Sequence, residues 1–236
     1  MENVIPDYAV SLATGSERSE FIRRTYTHLA GAILAFIVIE YLLLVPFKEI
    51  TLPLIQSMLG SRYGWLLVLG LFMLVGYIAD RWARSTQSKN MQYAGLALYV
   101  VAEAVIFLPL LYVAAYFTSP NVLPTAAVLT LCLFAGLTGT VFITKKDFSF
   151  MRGILTIGSF VALGIIVCGV LFGFDLGTFF SVAMIALAGG YILYYTSAVM
   201  KYYRTDQYVA ASLALFAAVA LMFWYVLRLL MALNRR

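Results

Sequence analysis

Seven apolar stretches, separated by short polar connections, set the reading of this chain. They are predicted as helices over residues 28–45, 64–79, 91–117, 122–143, 150–172, 177–199 and 208–233, because about 18 apolar residues in a helix cross the roughly 30 Å hydrocarbon layer of a bilayer. The second stretch is the shortest. The third would be about 40 Å long as a straight helix, so it must tilt or bend, and Pro109 supplies a bend. The connections are short, which predicts antiparallel neighbours packed into one bundle. Residues 1–24 read as a polar amino-terminal segment, and residues 25–236 as an all-α integral membrane domain of seven transmembrane helices.

Composition strengthens this picture. Apolar residues make up 63% of the chain, charged residues 11%, and the mean hydropathy is +0.94. No water-soluble core hides so much apolar surface, so the lipid bilayer is the solvent and the first expected partner. The net charge of +5 invites a nucleic-acid reading, but the basic residues come in twos and threes between apolar runs, so no nucleic-acid partner is expected. Arg18, Arg23, Arg24, Arg81, Arg84, Lys89, Lys145, Lys146, Arg152, Lys201 and Arg204 fall on one side. Lys48, Arg62, Arg228, Arg235 and Arg236 fall on the other. By the positive-inside rule the amino terminus is cytoplasmic and the carboxyl terminus outside. The first 24 residues carry Glu2, Asp7, Glu17, Arg18, Glu20, Arg23 and Arg24, so no secretory signal is read there. Cys132 and Cys168 lie inside apolar runs and are expected as buried, inert thiols. Gly169 with Gly173, Gly136 with Gly139, and the pair Gly189–Gly190 are expected at helix contacts, where small residues let backbones approach. Thr205 is expected to cap the last helix, and Lys145 and Lys146 to suit the end of the fourth.

Two carboxyl groups sit well inside the predicted spans, Glu40 and Glu103. A carboxylate at the bilayer centre costs about 2.5–3.5 kcal/mol on insertion scales, so such acids face a bundle interior, a cavity or a partner. Glu103 is the sharper candidate for an ion pathway, because Pro109, six residues on, leaves the Val105 carbonyl without its helical donor. The plain alternative is a protonated Glu103 hydrogen-bonded to a neighbouring helix. Glu40 is expected to reach the interface, and His28, the one histidine, to sit at a membrane boundary. One histidine builds no three-histidine zinc site, the HExxH pair is absent, and the predicted spans hold no aspartate or phosphate-gripping glycine loop. Neither an enzyme nor a cofactor or metal centre is expected.

Three ordered stretches carry a family resemblance: Phe21-Ile-Arg-Arg-Thr-Tyr26; Leu129-Thr-Leu131 with Gly136-Leu-Thr138 and Thr144-Lys-Lys-Asp-Phe-Ser-Phe-Met151; and Tyr191-Ile-Leu-Tyr194 with Thr205-Asp-Gln-Tyr-Val-Ala-Ala211 and Leu213-Ala-Leu-Phe216. Together they resemble the transmembrane Bax inhibitor motif family, also called the Bax inhibitor-1 family, in its bacterial YccA-like branch. The resemblance implies seven helices, a cytoplasmic amino terminus and a bacterial cytoplasmic (inner) membrane. It also implies either a pH-sensitive calcium leak or modulation of a membrane-bound ATP-dependent protease and of stress responses.

In leak-forming relatives two aspartates on the last two helices share a proton and pair with a basic group near the cytoplasmic end of the second. Here Tyr195 stands in Leu193-Tyr194-Tyr195-Thr196 where the family has one aspartate, and Ala218 stands at the other. Neither substitute titrates usefully near neutral pH or binds calcium as a carboxylate does. The basic partner would be Arg81 or Arg84, left without its counter-charge, while Tyr195 is expected as a hydrogen-bonded latch across the core. Two readings stay open at this point: a conduit for calcium, another cation or protons around Glu103, and an interaction protein docking on a membrane complex.

Overall fold

The computed structural model describes residues 10–234, apart from the side chain of Arg62. A 3-10 turn, Val10–Leu12, precedes eight α-helices: α1 Gly15–Leu44, α2 Lys48–Gly60, α3 Arg62–Ala83, α4 Lys89–Phe117, α5 Val122–Thr144, α6 Met151–Phe172, α7 Gly177–Lys201 and α8 Tyr208–Asn234. Seven of them are long and apolar enough to span a bilayer, and no strand occurs among the described residues. Glu2, Asp7, Arg235 and Arg236 lie outside the described residues.

Helix α1 starts thirteen residues before its predicted span. The Thr14 hydroxyl accepts from the Glu17 amide at 3.4 Å, while the Glu17 carboxylate accepts from the Thr14 amide at 3.1 Å, a reciprocal cap. Glu20 then pairs with Arg23 and Arg24 along the same turns. Hydropathy detects the lipid-crossing part of a helix and is blind to polar turns that continue it into water. Ser61 and Ser88 cap α3 and α4 through the Gly64 and Met91 amides. For α8 the capping expectation is displaced. The helix starts at Tyr208, the Gln207 carbonyl accepts from the Ala211 amide, and Arg204 engages Asp206.

The connection between the first two spans is not a bare loop. It holds α2, a thirteen-residue helix too short to cross, which tucks Thr51, Ile55 and Met58 inward and leaves Ile50, Leu54 and Leu59 exposed.

Helix α8 is the axis of the bundle, packing against α1, α3, α4, α5 and α7. Ring contacts Phe36–Phe107 and Phe36–Phe216, with the Tyr116 hydroxyl on the Leu44 carbonyl, show α1, α4 and α8 running parallel. The hairpin pairs α3–α4 and α7–α8 are antiparallel neighbours, as short connections require. Among the glycines the tightest approach is at Gly95 of α4, where an added Cβ would lie 2.5 Å from the Ala79 carbonyl oxygen and 2.6 Å from the Ala83 nitrogen of α3.

Of the expected glycine contacts, Gly189 and Gly190 do meet neighbours: Leu137 and Met222 at the first, Leu155 and Met151 at the second. Gly173 ends α6 in the left-handed region (φ 75°), while Gly169 sits against Leu176 and Phe174. Gly136 and Gly139 meet nothing within 4 Å and face away from the bundle. Cys132 and Cys168 are likewise exposed rather than buried. Lipid is as apolar as the bundle interior, so an apolar run does not reveal which of its faces points inward.

Candidate functional site

Three cavities are stacked through the bundle, and consecutive ones share lining residues. The first opens toward the face that carries the α3–α4 and α7–α8 connections. It holds about 450 Å³, and its walls include Arg84, Arg152, Tyr191, Tyr195 and Tyr203. Burial pushes the Tyr203 phenol up to about 12. Of the two basic candidates it is Arg84 that lines this vestibule, and Arg81 does not. Arg84 also keeps a counter-charge, contrary to expectation: its Nε lies 2.9 and 2.8 Å from the two carboxylate oxygens of Asp80, one turn earlier on α3. The i, i+4 spacing that makes this pair was present in the sequence.

Tyr191 and Tyr195, one turn apart on α7, form the floor of the vestibule and the roof of the second cavity. Their rings stack at 5.6 Å between centroids, and Tyr194 meets Tyr195 edge-on at 5.2 Å. Tyr191 is fixed to α6, its hydroxyl 2.8 Å from the Ser159 hydroxyl and donating to the Leu155 carbonyl. Among the described residues Tyr195 is held by ring contacts with Tyr191 and Tyr194, and its hydroxyl makes no hydrogen bond across the core of the kind expected.

The second cavity, about 330 Å³, lies midway along the helices and contains Glu103, Tyr195 and Ala218 together. The bundle thus brings Tyr195 of α7 and Ala218 of α8 into one chamber with the internal acid. Glu103 is 5% exposed, and Tyr99, one turn back on α4, lines the same chamber. Tyr99 can lie there because Gly76 of α3 leaves a notch against its ring, which also meets Phe72 and Phe216. The remaining walls are mainly aromatic and aliphatic, with Phe107, Trp224 and Tyr225 among them.

Trp65 and Trp224, stacked at 6.1 Å, border both the second and the third cavity. The third, about 540 Å³, contains Pro109 and Asp175. Pro109 and Glu103 therefore occupy adjoining chambers and not one, and α4 runs unbroken through the proline. Arg228, at the far end of the central chamber, pairs with Asp175 at 3.6 Å.

Several polar groups lie outside the walls of these three cavities. Glu40 is 5% exposed and neither carboxylate oxygen has a partner, so it does not reach the surface as expected. It shares an inward face of α1 with Phe36 and Leu44, one turn away on either side. The hydroxyls of Tyr26, Thr138 and Thr196 are buried on three different helices, each without a well-formed hydrogen bond. His28 stacks on Tyr93 and tilts against Tyr208, with Nδ1 2.7 Å from the Arg24 carbonyl. In the α5–α6 connection, Asp147 engages the Tyr202 hydroxyl, the Ser149 amide and Lys201, while the Ser197 hydroxyl accepts from the Phe148 amide. Much of the Thr144–Met151 motif is thereby stitched to the end of α7.

A protein of Pseudomonas aeruginosa, itself uncharacterised, is 30% identical to this chain over 118 residues, which is 48% of this chain and 53% of that protein. The match thus spans about half of that relative. The family model described as inhibitor of apoptosis-promoting Bax1 matches residues 18–236, which takes in α1 from Arg18 onward, the six other membrane-spanning helices and the residues lining each chamber. The chain therefore belongs to the Bax inhibitor-1 family of multi-pass membrane proteins.

Proposed function

We propose that this protein is a non-enzymatic proton conduit or proton-sensing channel of the cytoplasmic membrane, with Glu103 as its internal carrier. The observation that carries the reading is the series of three cavities with a single buried carboxyl in the middle one. Intramembrane acids that line a cavity are characteristic of proton relays. Tyr191 with Tyr195 and Trp65 with Trp224 stand between the chambers as two aromatic constrictions, which serve as gates in this reading.

Protons fit this chamber better than calcium. Calcium takes about six to eight oxygen ligands, whereas the central chamber offers one carboxyl and a few phenols. Among the described residues no group of three or more His, Cys, Asp or Glu is placed to hold a metal ion. With Tyr195 and Ala218 at the dyad positions, the gate of leak-forming relatives has no acid pair to titrate, which moves the proton step to Glu103.

Purified protein in liposomes carrying an internal pH dye, with a potassium diffusion potential as driving force, tests the reading. Proton entry above that of empty liposomes is expected, and Glu103→Gln is expected to return it to the empty level. Flux equal to empty liposomes, or full flux in Glu103→Gln, sinks the proposal, and a calcium indicator in parallel vesicles reports the other ion.

The resemblance to the YccA-like branch supports a second reading, lateral docking on a membrane-bound ATP-dependent protease. Gly136 and Gly139, open to the outside on α5, offer a surface where a foreign helix can approach. Gentle detergent extraction from the native membrane would then yield a larger complex. A solitary protein in several mild detergents counts against this.

A further inference from the structure

The chemistry of the central chamber points beyond a proton. Its single acid shares the chamber walls with aromatic side chains from four helices: Phe72 from α3, Tyr99 and Phe107 from α4, Tyr195 from α7 and Trp224 from α8. A carboxylate inside a ring of aromatic quadrupoles is the arrangement that receives a weakly hydrated positive charge. A strongly hydrated inorganic cation would have to shed its water against walls that offer almost no oxygen in exchange. An ammonium whose charge is spread under methyl groups or hidden by a hydrocarbon sheds little, and the apolar walls welcome the rest of it. The volume of about 330 Å³ lies at the lower end of the range of pockets that hold small organic ligands.

The other charge on the wall does not oppose this. Arg228 stands ten residues beyond Ala218 on α8, about 15 Å along the helix, and its guanidinium is engaged by Asp175. The positive charge therefore sits at the far end of the chamber, tied to its own counter-ion.

We propose that the central chamber is a binding site for a hydrophobic organic cation, a quaternary ammonium or amine with an apolar ring or tail, held by Glu103 and the surrounding aromatic faces. Binding at equilibrium requires no passage across the bilayer. Binding without proton flux would sink the conduit alone, and flux without binding would sink this site alone.

Two of the three tryptophans, Trp65 and Trp224, line the chamber and report occupancy by fluorescence. The probe is benzyltrimethylammonium, titrated into protein in a maltoside detergent that carries no ammonium group. Its neutral isostere, neopentylbenzene, keeps the shape and removes the charge. A saturable change in tryptophan emission is expected for the cation, with affinity at least about tenfold weaker for the isostere and for Glu103→Gln.

Ala217→Leu keeps the acid and fills the chamber from α8, so it too should lose binding. This variant decides the matter if Glu103→Gln does not fold. No saturable response, an isostere that binds as well as the cation, or unchanged affinity in either folded variant overturns the site.

Discussion

Replacing Gly95 by alanine adds one methyl group where the backbones of α3 and α4 cross closely. Its Cβ would sit 2.5 Å from the Ala79 oxygen, 2.6 Å from the Ala83 nitrogen and 3.0 Å from the Trp82 Cβ. Ordinary contact begins near 3.5 Å, so α3 and α4 must part by about 1 Å. Two of the three clashing atoms are backbone and cannot rotate aside, which places the change at the upper end of the usual overpacking cost of about 1–3 kcal/mol. Alanine recovers about 1 kcal/mol through its helix preference, leaving a net loss of about 2 kcal/mol. At about 2–4 °C per kcal/mol for chains of this length, the melting temperature should drop by roughly 4–8 °C.

Thermal unfolding in detergent, followed by tryptophan emission, reads this directly, because Trp82 lies at the crossing. The matched controls are Gly31→Ala and Gly70→Ala, which meet open space and should be neutral or slightly stabilising. Parting α3 from α4 also displaces Arg84, one residue beyond Ala83, so the vestibule should change with the stability. A Gly95→Ala protein that melts with the parent would refute the crossing and the placement of Arg84 that depends on it.

Glu40→Met should raise the melting temperature, because it removes two buried oxygens without partners, a gain of about 1–3 kcal/mol; a lower value would reveal a partner for this carboxyl. Burial by itself raises the Asp147 carboxyl, but the Tyr202 hydroxyl, the Ser149 groups and Lys201 together hold it below the usual carboxylate range. Its folded value lies below its unfolded one, so its contribution is complete above about pH 4 and lost as pH falls through the folded value. Melting curves taken toward acid should steepen their decline in the parent and flatten in Asp147→Asn, and identical acid slopes would remove the inference. Reporters fused to the two termini should mark opposite faces of the membrane, the amino-terminal one cytoplasmic; the same face for both would break the seven-crossing topology.

The positions of the seven spans were legible in the sequence because partition into lipid depends on the apolar content of a stretch, and a helix satisfies its own backbone wherever it crosses. The same reasoning identified Glu103 as an internal acid, since its depth follows from its place in a span. The family followed from ordered motifs in the same way. None of this fixed the direction in which a residue faces. In water the apolar stripe of a helix marks its inner side, but in a bilayer the outer side is equally apolar, and periodicity loses that meaning.

Hence Cys132, Cys168, Gly136 and Gly139 proved outward, while Gly95 went unnoticed as the tightest of the glycine contacts. Glu40 turned inward for the same reason. Only tertiary packing chose Arg84 over Arg81 for the vestibule and gathered Glu103, Tyr195 and Ala218 in one chamber. Those residues come from three helices, Glu103 standing 92 positions before Tyr195, and only the packing of α4 and α7 on α8 makes them neighbours.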